Sequence, residues 1–362
     1  MNLMSPRERF QRTMRRLPTD RMIRTLDTGA SEGIAGPYVA KFQAITGATH
    51  AADYFDYDIR VVSPPLTPGA SDFSVFHPGA PAEAEFDALG IGWVKSVDFP
   101  MGDALSPWKH FTDPAQIFDY PMPTFHVPQE YINKIRDWKA RGYVVSSFCG
   151  ALNEWCYFLR TMEAFFIDMV QRPELADAVL SRVSELVLSM GVQMAEAGSD
   201  IVCFYGDVGG QESLLCSPRA YRKWFKPRLV SIFAEVHRVN PDAVLFLHTC
   251  GHIVPIISDL VETGLQILNP IQPESMDPFA VKRDWGDKLV LWGGVGLQET
   301  MAQPSAPKVC EDTARLIRGW AAGGGAIPCP ANVLPIDVPW DNVLAFMETA
   351  EECGREVSGS LA

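Results

Sequence analysis

The eight cysteines of this 362-residue chain never form a C-x-x-C pair, and a set so sparse for its length is no disulfide framework. Basic residues are also in deficit. Lys and Arg number 31 against 44 Asp and Glu, and the resulting charge of -13 repels phosphate backbones and anionic lipid. Nucleic acid and membrane surfaces are therefore unfavourable partners. No stretch approaches the ~18 uninterrupted apolar residues that a membrane helix needs, which predicts a soluble chain. The opening MNLMSPRERFQRTMRR lacks the apolar centre of a secretion signal. It predicts an amphipathic helix and a cytoplasmic protein. No G-x-G-x-x-G opens a helix either, and Gly323–Gly325 precedes a strand-like run, the wrong side for holding a pyrophosphate. No linker or internal repeat divides the chain, so residues 1–362 read as one domain.

What is present is a succession of short β-branched runs, each followed by an amphipathic stretch. The first third is irregular and proline-rich, with VVSPPLTPGASDF and the run 99–128 reading as loops that cover something. From Tyr143 onward the pattern sharpens. Strands are expected at 143–148, 201–206, 243–248, 266–270, 289–294 and 326–330. Helices are expected through Met162, at 173–197, after Ser217 as N-cap with Pro218 at the first turn, at 253–262, at 307–322, and from Trp340. Alternation at this spacing implies βαβ units and a parallel sheet. The length suits a (β/α)8 TIM barrel with N-terminal loop and helix decoration.

In such a barrel the chemistry gathers at the carboxyl ends of the strands. After AVLFL comes His248-Thr249-Cys250-Gly251, and residues two apart on an extended segment point the same way. Cys329 ends a later strand. One His and two thiolates suit Zn²⁺ with an open fourth position. The same residues would equally serve as a hydrogen-bonded histidine and buried thiols. His252 reads as a helix-start residue instead of a fourth ligand. The other strand ends supply Asn153 and Glu154, then Tyr205, Asp207 and Gln211, then Asn269 and Gln272, and finally Asn332. Glu154 and Asp207 are the candidate catalytic or metal-orienting acids. Asn153, Tyr205, Gln211, Gln272 and Asn332 are candidate substrate contacts.

Four stretches carry a likeness to a known family: SPRERFQRTMRRLPTDR, FYGDVGGQESLLCSPRAYRKWFKPRL, the run from LHTCGHIVPI to LVLWGGVGLQ, and GGGAIPCPANVLPIDVPWDNV. Over nearly its whole length the chain resembles the uroporphyrinogen decarboxylase superfamily, which implies a (β/α)8 barrel. The decarboxylases of that superfamily use no metal and hold porphyrinogen carboxylates with arginines in a segment like W-F-M-R-Q-A-G-R. Here the corresponding stretch is IRTLDTGASEGI, without that motif or its paired arginines.

The other branch consists of corrinoid-dependent methyltransferases that carry zinc on an H-x-C…C pattern. His248 and Cys250 match its first part. Counting back from Pro339 to Asn342, the family cysteine falls near position 332, where this chain has Asn332; Cys329 stands three residues earlier. The resemblance thus implies zinc on His248 and Cys250, with Cys329 or a carboxylate such as Glu154 as third donor. It implies methyl transfer between a methylated small molecule or thiol and a corrinoid. A partner protein must carry that corrinoid, because this chain has no D-x-H-x-x-G. A metal-free decarboxylase is the alternative.

Overall fold

A computed structural model of the chain describes residues 3–95 and 103–360. Its first strand, β1 (Ile59–Val61), is followed by three short strands, β2 (Glu85–Phe86), β3 (Gly92–Val94) and β4 (Asp103–Leu105), which form a separate antiparallel sheet. The remaining strands are β5 (Val144–Ala151), β6 (Ile201–Tyr205), β7 (Val244–His248), β8 (Ile267–Asn269), β9 (Val290–Val295) and β10 (Ala326–Pro330). With β1 they make one sheet in the order β1-β5-β6-β7-β8-β9-β10, every neighbouring pair parallel. Its strands are almost wholly buried and mostly apolar, as expected of a parallel sheet whose outer face helices cover.

The fold is a (β/α)8 barrel, although only seven positions of its wall are regular strands among the described residues. Residues 23–28 pass through the remaining gap. The Arg24 carbonyl accepts the amide of Asp58 at 3.0 Å, and the Asp27 carbonyl accepts the indole N–H of Trp292 at 3.0 Å. Alternation along the strands turns Phe246, Trp292 and Tyr205 into the barrel, where the rings of Phe246 and Trp292 meet edge to face at 5.3 Å.

The expected strands and helices after Tyr143 are present with boundaries within about three residues, except that the long helix expected after Ser217 divides at Phe225 into Pro218–Trp224 and Lys226–Val239. Ser217 caps the helix Pro218–Trp224 by accepting from the Ala220 amide, as its sequence context predicts. The opening helix is shorter than the sequence suggests, Pro6–Met14. Two buried ion pairs, Arg9 and Arg21 on Asp58, fix the start of the chain beneath β1. The proline-rich stretch before Tyr143 holds more than loops: helices Pro37–Thr46 and Gln129–Ala140 were not legible in it. Part of the 99–128 run lies outside the described residues.

Asp27 is fully buried, and its Oδ1 accepts the Gly33 amide at 3.0 Å. Burial pushes its carboxyl up to about 7, with Glu32 adding to the shift. The folded chain therefore holds a proton that the unfolded chain releases at lower pH. The associated stability is complete below the ordinary carboxyl range and is lost as pH rises toward 7. Between pH 5 and 7 the loss should be roughly 2–3 kcal/mol, since each pH unit is worth about 1.4 kcal/mol. Asp27→Asn keeps the acceptor for Gly33 and removes the slope. Urea unfolding at both pH values checks this, and an unchanged slope in the variant would refute it.

Candidate metal centre

The centre is built where three strands end. His248 is the last residue of β7, and Cys250 follows in the next turn with its Sγ 3.1 Å from His248 Nε2. The two side chains thus meet on one side of this strand end. Gly251 allows the chain to turn away, at φ +82°, and lies directly against Gly209 in the loop after β6. A Cβ on Gly251 would come within 2.4 Å of the Gly209 carbonyl carbon, and one on Gly209 within 2.5 Å of the Cys250 oxygen. The two loops touch main chain to main chain, and the His252 amide donates to the Gly210 carbonyl at 2.7 Å. That contact delivers Asp207 to Cys250, whose amide donates to Asp207 Oδ1 at 2.7 Å.

His248 is held in one tautomer. The Asn269 Nδ2 donates to the Trp292 carbonyl at 3.0 Å, so its Oδ1 faces His248 Nδ1, 2.5 Å away. Nδ1 must then carry the hydrogen, which leaves the Nε2 lone pair directed at Cys250. A metal-ligating histidine needs this arrangement. The Tyr205 ring stacks on the imidazole at 4.9 Å and fixes its plane.

Ligand atoms of Asp207, His248 and Cys250 all lie within 4.8 Å of one another. Glu154 approaches from the first turn of the helix Leu152–Arg160, directly after β5, and its Oε2 is buried without a hydrogen-bond partner. Burial pushes the Glu154 carboxyl up to about 8, with the charge of Asp207 adding to it. Burial, followed by the charges of Asp207 and Glu154, raises the Cys250 thiol well above its ordinary range. Neither carboxylate is paired with a Lys or Arg among the described residues. Asp207 and Cys250 converge with no Lys or Arg paired to them among the described residues, and Glu154 adds a second acid whose Oε2 has no hydrogen-bond partner. Such a set fits a cation, and its sulfur and imidazole donors suit Zn²⁺ better than Mg²⁺ or Ca²⁺.

The model of the uroporphyrinogen decarboxylase (URO-D) family matches residues 96–353. The chain belongs to that family. Two relatives, methylcobamide:CoM methyltransferases MtaA from Methanosarcina barkeri and from its strain Fusaro, are 23% and 22% identical over 194 residues. The match takes in 54% of this chain and 54% of each relative, so the chain spans about half the length of the curated relatives it matches. A methyltransferase from Methanosarcina mazei superposes with a TM-score of 0.64 over 96% of this chain and 98% of its own, at 17% identity, which shows the shared fold.

The structure of this uroporphyrinogen decarboxylase family member brings Asp207, His248 and Cys250 together, with Glu154 near enough for its charge to act on Cys250, but it does not bring Cys329 to them. Cys329 pairs with Gly294 on β9 and turns into the barrel, where its Sγ lies 3.4 Å from the Asp27 carbonyl. Asn332 reaches the centre instead, its Nδ2 3.4 Å from Cys250 Sγ.

Gln272 Oε1 accepts the Gly251 amide at 3.2 Å. Asn153 is buried beside Glu154 with an unpartnered Nδ2. Tyr205 directs its hydroxyl away, donating to the Thr28 carbonyl at 2.5 Å. Gln211 is exposed and bonds the Glu274 carbonyl at 2.9 Å. His252 faces the Ser275 carbonyl, away from the donor group. Sequence reasoning gave no role to Glu274 or Asp337, which line a cavity of about 400 Å³ together with Gln272 and Asn332. No motif marks them. Among the described residues no helix is long and apolar enough to cross a membrane.

Proposed function

We propose that this chain is a zinc-dependent methyltransferase. It moves a methyl group between a methylated small molecule or a thiol and a corrinoid carried by a partner protein. The observation that carries the reading is the convergence of Asp207, His248 and Cys250 within 4.8 Å, beside the unpartnered oxygen of Glu154. The partial likeness to methylcobamide:CoM methyltransferases supports it.

His248 Nε2 and Cys250 Sγ would hold the metal, with a carboxylate as third donor. Asp207 commits Oδ1 to the Cys250 amide, which leaves its other oxygen for the ion, and Glu154 Oε2 is the remaining candidate. Zn²⁺ bound there supplies a Lewis acid that favours thiolate over thiol, or polarises the oxygen of a methoxy group. Asn269 keeps the imidazole oriented. Asn332 donates toward Cys250 and would moderate the charge on its sulfur.

The decarboxylase alternative has less support. Arg21 is bound to Asp58 and Arg24 to Glu351, so the arginines around the stretch IRTLDTGASEGI are engaged elsewhere. Protein purified without chelator should contain roughly one equivalent of zinc. It should also transfer the methyl group of methylcobalamin to a small thiol. Less than about a tenth of an equivalent of zinc, together with no transfer, would count decisively against the reading.

A further inference from the structure

A second cavity, of about 280 Å³, lies against strand β1, between helices Pro37–Thr46 and Gln129–Ala140. It shares no residue with the metal centre or with the cavity beside that centre. Its walls are apolar, formed by Ile34, Val39, Phe42, Ala52, Val61 and Trp138. Two ionisable groups stand among them, Asp27 and Arg60, only 3% and 4% exposed. The Nε and Nη1 of Arg60 are sealed off without an acceptor, which leaves Nη2 as the guanidinium nitrogen with surface to offer. The guanidinium lies over the rings of Trp138 and Tyr143 at 4.9 and 4.4 Å, so its faces are covered and its edge is left for a ligand. Asp27 Oδ1 accepts the Gly33 amide, whereas Oδ2 accepts no hydrogen bond and is not sealed off.

These groups define the head of a ligand. A guanidinium buried without a hydrogen-bonded anion is costly. Asp53 comes within 3.4 Å of Nη1 and Asp56 within 4.0 Å of Nη2, but these acids are 62% and 66% exposed and neither is hydrogen-bonded to the guanidinium. Ion pairs of that kind are screened by water. Burial pushes the Asp27 carboxyl up to about 7, so below that pH it offers an O–H and no charge, and it lies near enough to Arg60 to feel that cation. One oxygen of a carboxylate can accept from Nη2 and the other from the Asp27 hydroxyl, both as charge-assisted bonds. An ammonium would instead face the guanidinium. The rim carries charges of both signs, Lys134 and His50 with Glu32 and Asp53, so the buried pair sets the preference. We propose that this cavity binds a small monocarboxylate with a short apolar or single-ring body, its head between Arg60 and Asp27 and its body against Phe42 and Trp138. The site is independent of the methyl-transfer reading.

Benzoate, benzamide and benzylamine share one ring and differ in the charge of the head group. Their affinities for the full-length protein are read by saturation-transfer NMR titration at pH 6, before and after treatment with a zinc chelator. Benzoate should bind with a Kd below about 5 mM, at least about fivefold more tightly than benzamide, with benzylamine weakest. Between pH 6 and pH 8 its binding should weaken about tenfold, because an ionised Asp27 repels the carboxylate. The ionisable groups around Asp27 are Arg60, Glu32, Tyr57 and Cys329, and burial holds the last two neutral over this range. Asp27→Asn keeps a donor for the ligand and should flatten the pH dependence, whereas His50→Gln at the rim should keep it. Arg60→Met should weaken benzoate at least about tenfold and benzamide less than about threefold. Thermal unfolding of the same samples shows whether each variant is folded, and Asp27→Asn decides the matter should Arg60→Met not be.

The inference is overturned if benzamide or benzylamine binds as tightly as benzoate, or if benzoate shows no binding below about 10 mM. Loss of benzoate binding on removal of zinc would put the carboxylate on the metal and overturn it as well. The same follows if Asp27→Asn keeps the full pH dependence, or if folded Arg60→Met binds benzoate as tightly as the unaltered chain.

Discussion

Cys250→Ser should leave the barrel folded and remove nearly all of its zinc. The thiol is the only sulfur among the three convergent donors, and the hydroxyl that replaces it does not ionise near neutral pH. With the metal lost, methyl transfer should fall by at least about a thousandfold, the usual scale for losing the main electrostatic element of an active site. The fold should survive because the barrel core is a continuous apolar cluster that does not depend on the ion. Two companion variants sharpen the result. Cys329→Ser should keep its zinc, since that sulfur faces the Asp27 carbonyl. Asn332→Cys puts a second thiol beside Cys250 and should raise zinc affinity by at least about tenfold. Metal content after dialysis against graded chelator reads all three. Full zinc and full activity in Cys250→Ser would move the centre elsewhere.

The largest loss of stability is expected from Gly293→Ala. Gly293 lies inside β9 at φ +117°, a conformation that alanine resists, and its Cβ would stand 1.8 Å from the Pro270 carbonyl oxygen. The obstacle is main chain and cannot rotate away. The carbonyl is also committed, accepting the Gly294 amide at 2.9 Å. Strain and overpacking together should cost about 4 kcal/mol or more, at the extreme of single substitutions. Asn269, which adjoins Pro270, would shift with it and release the His248 imidazole. Urea unfolding should show the lost stability, and zinc affinity should fall in the fraction that still folds. A destabilisation below about 1 kcal/mol would mean that β8 and β9 separate easily.

The strands after Tyr143 were legible because a parallel barrel makes each one a short apolar run, and turn residues punctuate them. The stretch before it was not, because helix Pro37–Thr46 carries little periodic apolar signal and proline-rich connections surround both it and Gln129–Ala140. His248 and Cys250 could be placed together from alternation alone, since both belong to one strand end. Asp207 and Glu154 could be put only at the same rim. Their meeting with Cys250 depends on packing between loops, which no local pattern encodes. Cys329 shows the limit of the approach: a strand end at the right mouth does not fix the direction of a side chain, and Asn332 occupies the place beside the sulfur.

The contact between Gly209 and Gly251 has a consequence for how this centre can change. Its two loops abut through main-chain atoms, so no compensating side chain elsewhere can make room for a residue at either position. The stretch 206–215 and the stretch 248–253 must therefore be inherited, transplanted or redesigned as one module. In a library that randomises both, survivors should keep glycine at the two positions together while the exposed Gln211 and Glu212 vary freely. Moving the histidine and cysteine alone onto another barrel would carry over the donors without the acid that meets them.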